Sequence, residues 1–477
     1  MNVSKNKFDL GGYEAQLIEN MEFDVEGQKL STRRGLGAPI YTFESDILYI
    51  WNDYELNLFL VFLKNKNIYK YEYGKTATLI GQLNGSADTH PCVARYGTKV
   101  LIASGSTLQI YEYSGSTINT DASYPICDMV MERFSRILVS KRGSNNMKYS
   151  AIGDPTNWTE NTNDLSSSKD IDVGDISGIM GIFPLATDVI VFKENGRIYR
   201  VSNEPEDWNI TVIGDGSDFL SRNAMANLGD NIVYYSRQGL RSLETSETYG
   251  NFTSQEIGEK CNPLLKKSFT NPFMEKLDRS NQIIVSADSG TTMYAYHYDI
   301  KAFTKWVFPV PVATISEGKE ATLVGAGKSI YNFAYTNDTD ITDGVAHNIH
   351  QTIISSPIWD SNIITVYRSH IVVDSASAGS ALMSVNDVSW TWEWTADVQD
   401  KEFKTQIRSN MVTAKFETDS RIVWDYWKMT LVYQYVNVVS QSTNDRGQSG
   451  SWSKTKWGQG TFAGTVTSSG GTPYGYV

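Results

Sequence analysis

The chain has 477 residues, with 40% hydrophobic residues, 20% charged residues and a formal net charge of −12. That length accommodates two to four domains or one long all-β array, and the balance is that of an ordinary globular protein. The acidic balance, with no basic stripe, argues against sequence-independent DNA gripping as the main task.

Aromatic content is high, with 27 Tyr, 18 Phe and 12 Trp. Tyr and Trp favour pleated, half-buried surfaces, so the composition leans towards β structure. Cys92, Cys127 and Cys261 are widely spaced and odd in number. They are expected as buried free thiols in a reducing compartment. The opening MNVSKNKFDLGGYEAQ has no apolar core of a secretory signal. No stretch reaches the roughly 18 apolar residues of a membrane helix, so no membrane span is expected.

In chain order, residues 1–40 read as an N-terminal arm. From residue 41 to 345 a hairpin recurs, in which an apolar strand leads through a short polar turn into a second strand. Examples are LFLVFLKNKNIYKYEYG (58–74), KVLIASGSTLQIYEYSG (99–115) and DVIVFKENGRIYRVSN (188–203). Seven such hairpins can be marked by Tyr69, Tyr111, Lys148, Tyr199, Arg241, Tyr294 and Tyr331, with a mean spacing of about 44 residues. Repeats of ~40–50 residues with several short strands each are the mark of β-propeller blades. An irregular series of β-sandwiches is the alternative. Six or seven blades are expected, because the last hairpin could belong to the next domain.

Two turns share a pattern: Asp154-Pro155-Thr156-Asn157-Trp158 and Glu204-Pro205-Glu206-Asp207-Trp208. Proline ends the strand and starts the turn, and the Trp returns to the hydrophobic layer as a packing anchor. Residues 301–306, ending in Trp306, read as a third variant without the proline. The best helical candidate is 254–269, cut by Pro263 into two short pieces. Residues 346–440 read as a C-terminal β-sandwich-like domain, in which alternation places Trp390, Trp392 and Trp394 on one strand face. Residues 441–477 form a Gly/Ser/Thr-rich tail, flexible on its own.

The chemistry is sparse. His347-x-x-His350 lacks a third ligand and is a weak metal signal. Ser286-Ala-Asp288-Ser-Gly290-Thr-Thr292 resembles the Asp box of sialidase-like propellers. That box is itself a structural turn, and no arginine triad accompanies it. Asp338-Thr-Asp340-Ile-Thr-Asp343-Gly344 has the oxygen ligands of a calcium loop, but its spacing is wrong for an EF-hand. No catalytic residue, cofactor-binding residue or metal ligand is assigned, and no cofactor is expected.

Leu17-Ile18-Glu19-Asn20-Met21, followed by Gly27-Gln28-Lys29-Leu30-Ser31-Thr32-Arg33-Arg34-Gly35, is similar to the opening of tail nozzle and phage stabilisation (tail accessory) proteins of short-tailed bacteriophages. Arg34 stands where that family often has proline. Asp154–Trp158 and the run from Arg222-Asn223-Ala224 to Gly239-Leu240 resemble turns of the same proteins. The resemblance implies a non-enzymatic virion protein that assembles in the host cytoplasm. It implies a homo-oligomeric, hexameric ring below the portal and its adaptor proteins. Such a ring extends the DNA channel, retains packaged DNA and supports tail fibres or spikes. Double-stranded DNA passes through without sequence-specific binding. A propeller that binds or cleaves host-surface glycans is the alternative.

Overall fold

The computed structural model describes residues 15–24, 29–159, 167–215, 217–229, 231–245, 252–258, 261–265, 270–434, 448–452 and 464–467. Seven blades of four antiparallel strands follow one another around a ring; six are separate sheets, and the sixth blade in chain order continues into the sandwich sheet through the parallel pair Glu19–Lys305. Blades 1 to 6 occupy 47–82, 92–120, 129–170, 179–214, 225–256 and 273–307. Blade 7 takes three strands from 312–332, and its outer strand is Pro39–Thr42, which pairs with Ser329–Asn332. A segment from before blade 1 thus completes the last blade, and the ring closes without a free seam.

The marker residues all fall on third strands. Tyr69, Tyr111, Lys148, Tyr199, Tyr294 and Tyr331 face Val61, Val100, Val139, Val191, Val285 and Val324 across the ladder, and Arg241 faces Tyr234. The repeat is therefore one of register as well as spacing. A hairpin alone cannot bury its apolar faces in water. Here each sheet lends one face to the blade before it and one to the blade after. Seven separate apolar clusters result, one per blade–blade interface, including the closing interface of Phe43, Ile50 and Phe59 with Leu323 and Ile330.

The segment expected as an arm is a structural part of the second domain. Ala15–Glu19 pairs with Gln351–Ser355, in a sheet continued by Ala414–Thr418, Gly379–Val385 and Val388–Trp394. Met21–Phe23 and Leu30–Thr32 join Val423–Gln434, Ile358–Ser375 and Asp397–Val412 in the facing sheet. The two sheets bury Met21, Phe23, Trp392, Trp394, Phe416 and Trp424 between them, with Trp390 packed alongside. The sandwich is thus built from both ends of the chain, with the propeller inserted between them. Boundaries at 40 and 345 miss this because the pairing partners lie more than 300 residues apart in sequence.

Two further expectations need correction. Residues 252–256 form the outer strand of blade 5, and among the described residues of 254–269 the helical ones are Asn262–Leu265, a single turn. Residues 254–256 complete a sheet because the third strand of blade 5 offers an open edge to pair with. Within 441–477, Gln448–Trp452 pairs with Val423–Gln434 and Gly464–Thr467 pairs with Gln448–Trp452. The tail aromatics Trp457, Phe462, Tyr474 and Tyr476 lie outside the described residues. No described helix is long and apolar enough to cross a membrane.

Candidate functional site: the propeller axis and the arginine junction

The two Pro-Trp turns occupy equivalent places, between the third and fourth strands of blades 3 and 4. In the first, Asp154 Oδ1 accepts the Thr156 amide at 2.9 Å, and Trp158 Nε1 donates to the Pro155 carbonyl at 3.0 Å. In the second, Pro205 starts a single 3-10 turn, Pro205–Asp207. Trp158 packs against the cluster between blades 2 and 3, and Trp208 belongs to the cluster between blades 3 and 4. Each Trp is a wedge turned towards the preceding blade. Trp208 meets Tyr149 edge-on, with centroids 5.4 Å apart, a favoured aromatic geometry. Trp306 is fully buried, and its Nε1 donates to the Met21 carbonyl at 3.1 Å. It ties blade 6 to the N-terminal strands of the sandwich.

The Arg33-Arg34-Gly35 motif sits at that junction. Arg33 is buried and ion-paired with Asp340 at 2.5 Å. It also donates to Asn20 Oδ1 and to the carbonyls of Arg34 and Val307. Arg34 pairs with Glu22 and donates to Ser280 and Gln282. Gln282 in turn donates to Glu22. Two cations and two anions therefore neutralise one another, with most of their hydrogen-bonding capacity used. Gly35 lies so close to the Asn337 and Thr339 carbonyls that a Cβ would come within 2.4 Å of the former. Any side chain there would push the hairpin 339–348 away.

Asp340 is thereby removed from the calcium-loop reading, because its carboxylate belongs to Arg33. Asp288 behaves as the Asp box predicts of a turn: its Oδ1 accepts the Gly290 amide at 3.0 Å. His350 does not meet His347 in a ligand set. It contacts Asp419 at 2.7 Å and Glu417 at 3.4 Å on an exposed surface. Among the described residues no group of three or more His, Cys, Asp or Glu is placed to hold a metal ion. Cys127 and Cys261 are buried, Cys92 is half-buried, and all three are free thiols.

A concavity opens where the axis of the propeller meets the face carrying the turns between second and third strands. Its volume is about 870 Å³. Asp46, Asp88, Asp288 and Asp343 line it together with Arg142 and Arg237. Two motifs far apart in sequence, the Asp-box turn and the 338–344 acidic turn, meet here through Asp288 and Asp343. A second cavity of about 390 Å³ continues inwards along the first strands of blades 1 to 6. The two share His90 and Asn223 in their linings, so they adjoin along the axis.

The inner passage holds several polar groups with perturbed chemistry. Arg222 pairs with Asp128 at 3.2 Å and donates to the His90 carbonyl at 2.8 Å. The His90 ring stacks on Tyr49, with centroids 4.7 Å apart. Burial, aided by the positive charge of Arg222, holds the His90 imidazole down to about 4, so it is neutral. Burial pushes the Glu275 carboxyl up to about 8. Burial also raises the Cys92 thiol, which donates to the Val130 carbonyl. Glu275, Tyr49 and His90 carry no motif: Glu275 is one of 54 acids, and its only sequence signal is a charge inside the apolar strand Phe273–Leu277.

No protein-family model matches the chain, and no curated protein matches it. Similar solved structures include the computationally designed Ika8 protein, at 9% identity and TM-score 0.40, covering 63% of this chain and 99% of that one. The Cps50 (Swd1) β-propeller domain of Myceliophteria thermophila has 8% identity and TM-score 0.44, covering 62% and 99%. The WD40 β-propeller domain of Doa1 has 9% identity and TM-score 0.42, covering 62% and 95%. At such identities the likeness concerns the fold alone.

Proposed function

We propose that the chain is a non-enzymatic structural subunit of a short-tailed bacteriophage tail. In this reading it forms a nozzle ring beneath the portal and adaptor and supports fibres or spikes. Its main support is the opening resemblance over Leu17–Gly35. Those residues also tie the N-terminal strands to the segment after the propeller, through Arg33–Asp340, and to blade 6, through Arg33 with Val307 and Arg34 with Ser280 and Gln282. A propeller fixed to a sandwich by a buried junction is a stiff wedge, the kind of shape that heterologous contacts close into a ring. Trp359 and Val398 stand exposed on the long sandwich strands, 55% and 62% accessible, and would be covered by a neighbouring subunit.

DNA would pass between subunits, through the lumen of the ring. The inner axial cavity, about 390 Å³, falls in the range of small-ligand sites, roughly 300–1,000 Å³. It cannot carry a duplex. Acids on the lumen wall would let DNA slide by repelling phosphate over a Debye length, about 8 Å at physiological salt.

One observation favours a second reading, a glycan-directed propeller: the mouth gathers four aspartates with two arginines and two lysines. Against catalysis there, Asp46 is paired with Lys64, Asp88 accepts from Ser86 and Asp288 is spent on its own turn.

Native mass measured over a range of concentrations, with negative-stain images of the same sample, tests the proposal. A closed ring of about six subunits with a central hole is the expected result. A stable monomer that cleaves sialosides or polysaccharide would overturn it in favour of the second reading.

A further inference from the structure

Most ionic groups near the propeller axis are already satisfied. Arg222 is held by Asp128 and a carbonyl. Arg95, at the far end, is held by Asp53 and Glu55. Lys276, next to Glu275 in sequence, turns away to Asp278 at 2.6 Å. Glu275 is the exception away from open solvent; Glu132, the other unpaired carboxylate of the lining, is exposed. Among the described residues Glu275 makes no hydrogen bond and no ion pair, yet it lines the inner passage. Its electrostatic neighbour is Tyr49, and the Tyr49 phenol is pushed up by burial and then by the Glu275 carboxylate.

The wall around it is suited to an organic stem. Trp51 and Tyr49 supply aromatic surface, and Met129, Met131, Met225 and Met274 line the same cavity. Methionine side chains are flexible and fit irregular apolar guests, and ring faces attract a desolvated cation. A carboxylate in such a place lacks one thing, a positive partner. The wide outer mouth gives access from solvent.

We propose that the axial passage is a binding site for an alkylammonium or guanidinium group carried on an apolar stem, with Glu275 as its counter-ion. The group enters through the mouth, passes His90 and Asn223, and forms a charge-assisted hydrogen bond with the Glu275 carboxylate. Free diamines and the Lys or Arg side chain of a partner polypeptide share this chemistry. Atomic anions and neutral sugars lack it. Arg222, near the same passage, sets the orientation by repelling the cation from its own side.

The test uses the full-length chain and isothermal calorimetry at neutral pH. Cadaverine, agmatine and an end-blocked Gly-Arg-Gly peptide are titrated separately, with sorbitol as the neutral control. One-to-one binding is expected for at least one of the cations, and none for sorbitol. Repeating the titration in buffers of different ionisation heat should show proton release as Glu275 becomes charged. Glu275→Gln keeps the shape and removes the charge, and should weaken binding by about tenfold or more. Glu402→Gln, on the sandwich surface, should bind as the parent does and shows that the loss is local. Binding of the free amines alone identifies a diffusible ligand, and binding of the peptide alone identifies a partner's side chain. The proposal is overturned if no cation binds up to millimolar concentration, or if Glu275→Gln binds as tightly as the parent.

Discussion

The propeller and the sandwich solve the same problem, covering both faces of a β-sheet, by opposite routes. In the propeller the partner of each sheet is the next one along the chain, so the contacts are nearly local and repeat seven times. In the sandwich the partners come from the two chain ends: Ala15–Glu19 pairs with Gln351–Ser355, and Leu30–Thr32 with Val423–Gln434. The propeller is repetitive and the sandwich is not. The difference shows where the molecule is vulnerable. A fault at one blade–blade interface touches one apolar cluster, whereas the sandwich and the ring closure both depend on strands between residues 15 and 42.

The change expected to expose this most strongly is Arg33→Ala. It leaves Asp340 buried without its cation, and breaking a buried pair from one side costs about 3–5 kcal/mol. Thermal unfolding followed by both tryptophan fluorescence and circular dichroism should then split, the sandwich melting ahead of the ring. Replacing both partners, Arg33→Met with Asp340→Leu, should recover most of the loss, because the desolvation cost disappears with the charges. If Arg33→Ala melts in one transition at the parental temperature, the junction is not what couples the two bodies.

The same contrast decides how much could be read from the sequence. Tyr69, Tyr111, Tyr199, Tyr294 and Tyr331 marked the third strands because local alternation and a ~44-residue spacing suffice to define a hairpin. Trp158 and Trp208 were legible as packing anchors for the same reason: proline, turn and ring lie within five residues. The sandwich was half legible. WTWEW carried its own alternation, and Trp392 and Trp394 are buried as that pattern requires. The role of 15–32 was not legible, since nothing local records that the partner strands lie beyond residue 350. Residues 254–256 looked helical because the open edge they complete is a tertiary fact. Glu275 was invisible for a third reason: only the ring brings it, Tyr49 and His90 together, from blades at opposite ends of the propeller sequence. Arg33, Arg34 and Gly35 could be singled out as a motif, but their partners, Glu22, Asp340 and Asn337, appear only in the fold.

The second comparison is within the propeller and is smaller. Trp208 is buried and Trp158 half-buried at equivalent turns. Trp208→Ala should therefore cost about 3–5 kcal/mol, the range for a large aromatic removed from a core. Trp158→Ala should cost distinctly less, because part of its ring already faces water. Urea unfolding of the two variants checks the order. Equal losses would mean that the turn, with its proline and its acid, matters more than the ring it delivers.

The smallest effect separates the two regions by the sign of their pH dependence. Glu275, on the propeller axis, has its folded-state carboxyl raised by burial to about 8. The folded chain holds that proton where the unfolded chain has released it. Its contribution is therefore full below the ordinary glutamate range, about 4.3, and lost as pH rises through about 8. His297, beside the junction, is held down to about 3 by burial and then by Arg34. It meets Phe23 of the sandwich edge-on at 5.0 Å and contacts Thr304 at 3.3 Å. Here the unfolded chain takes up the proton first, so the contribution is full above about 6.5 and lost as pH falls towards 3. Glu275→Gln should thus be more stable than the parent near pH 8.5, by about 1–3 kcal/mol, with the gap closing towards pH 4. His297→Gln should narrow the acid-side loss and leave the alkaline side unchanged. Melting curves from pH 4 to 9 read both at once. If the two variants shift the same limb, the charges at axis and junction are not independent, and the propeller and sandwich would have to be treated as one electrostatic unit.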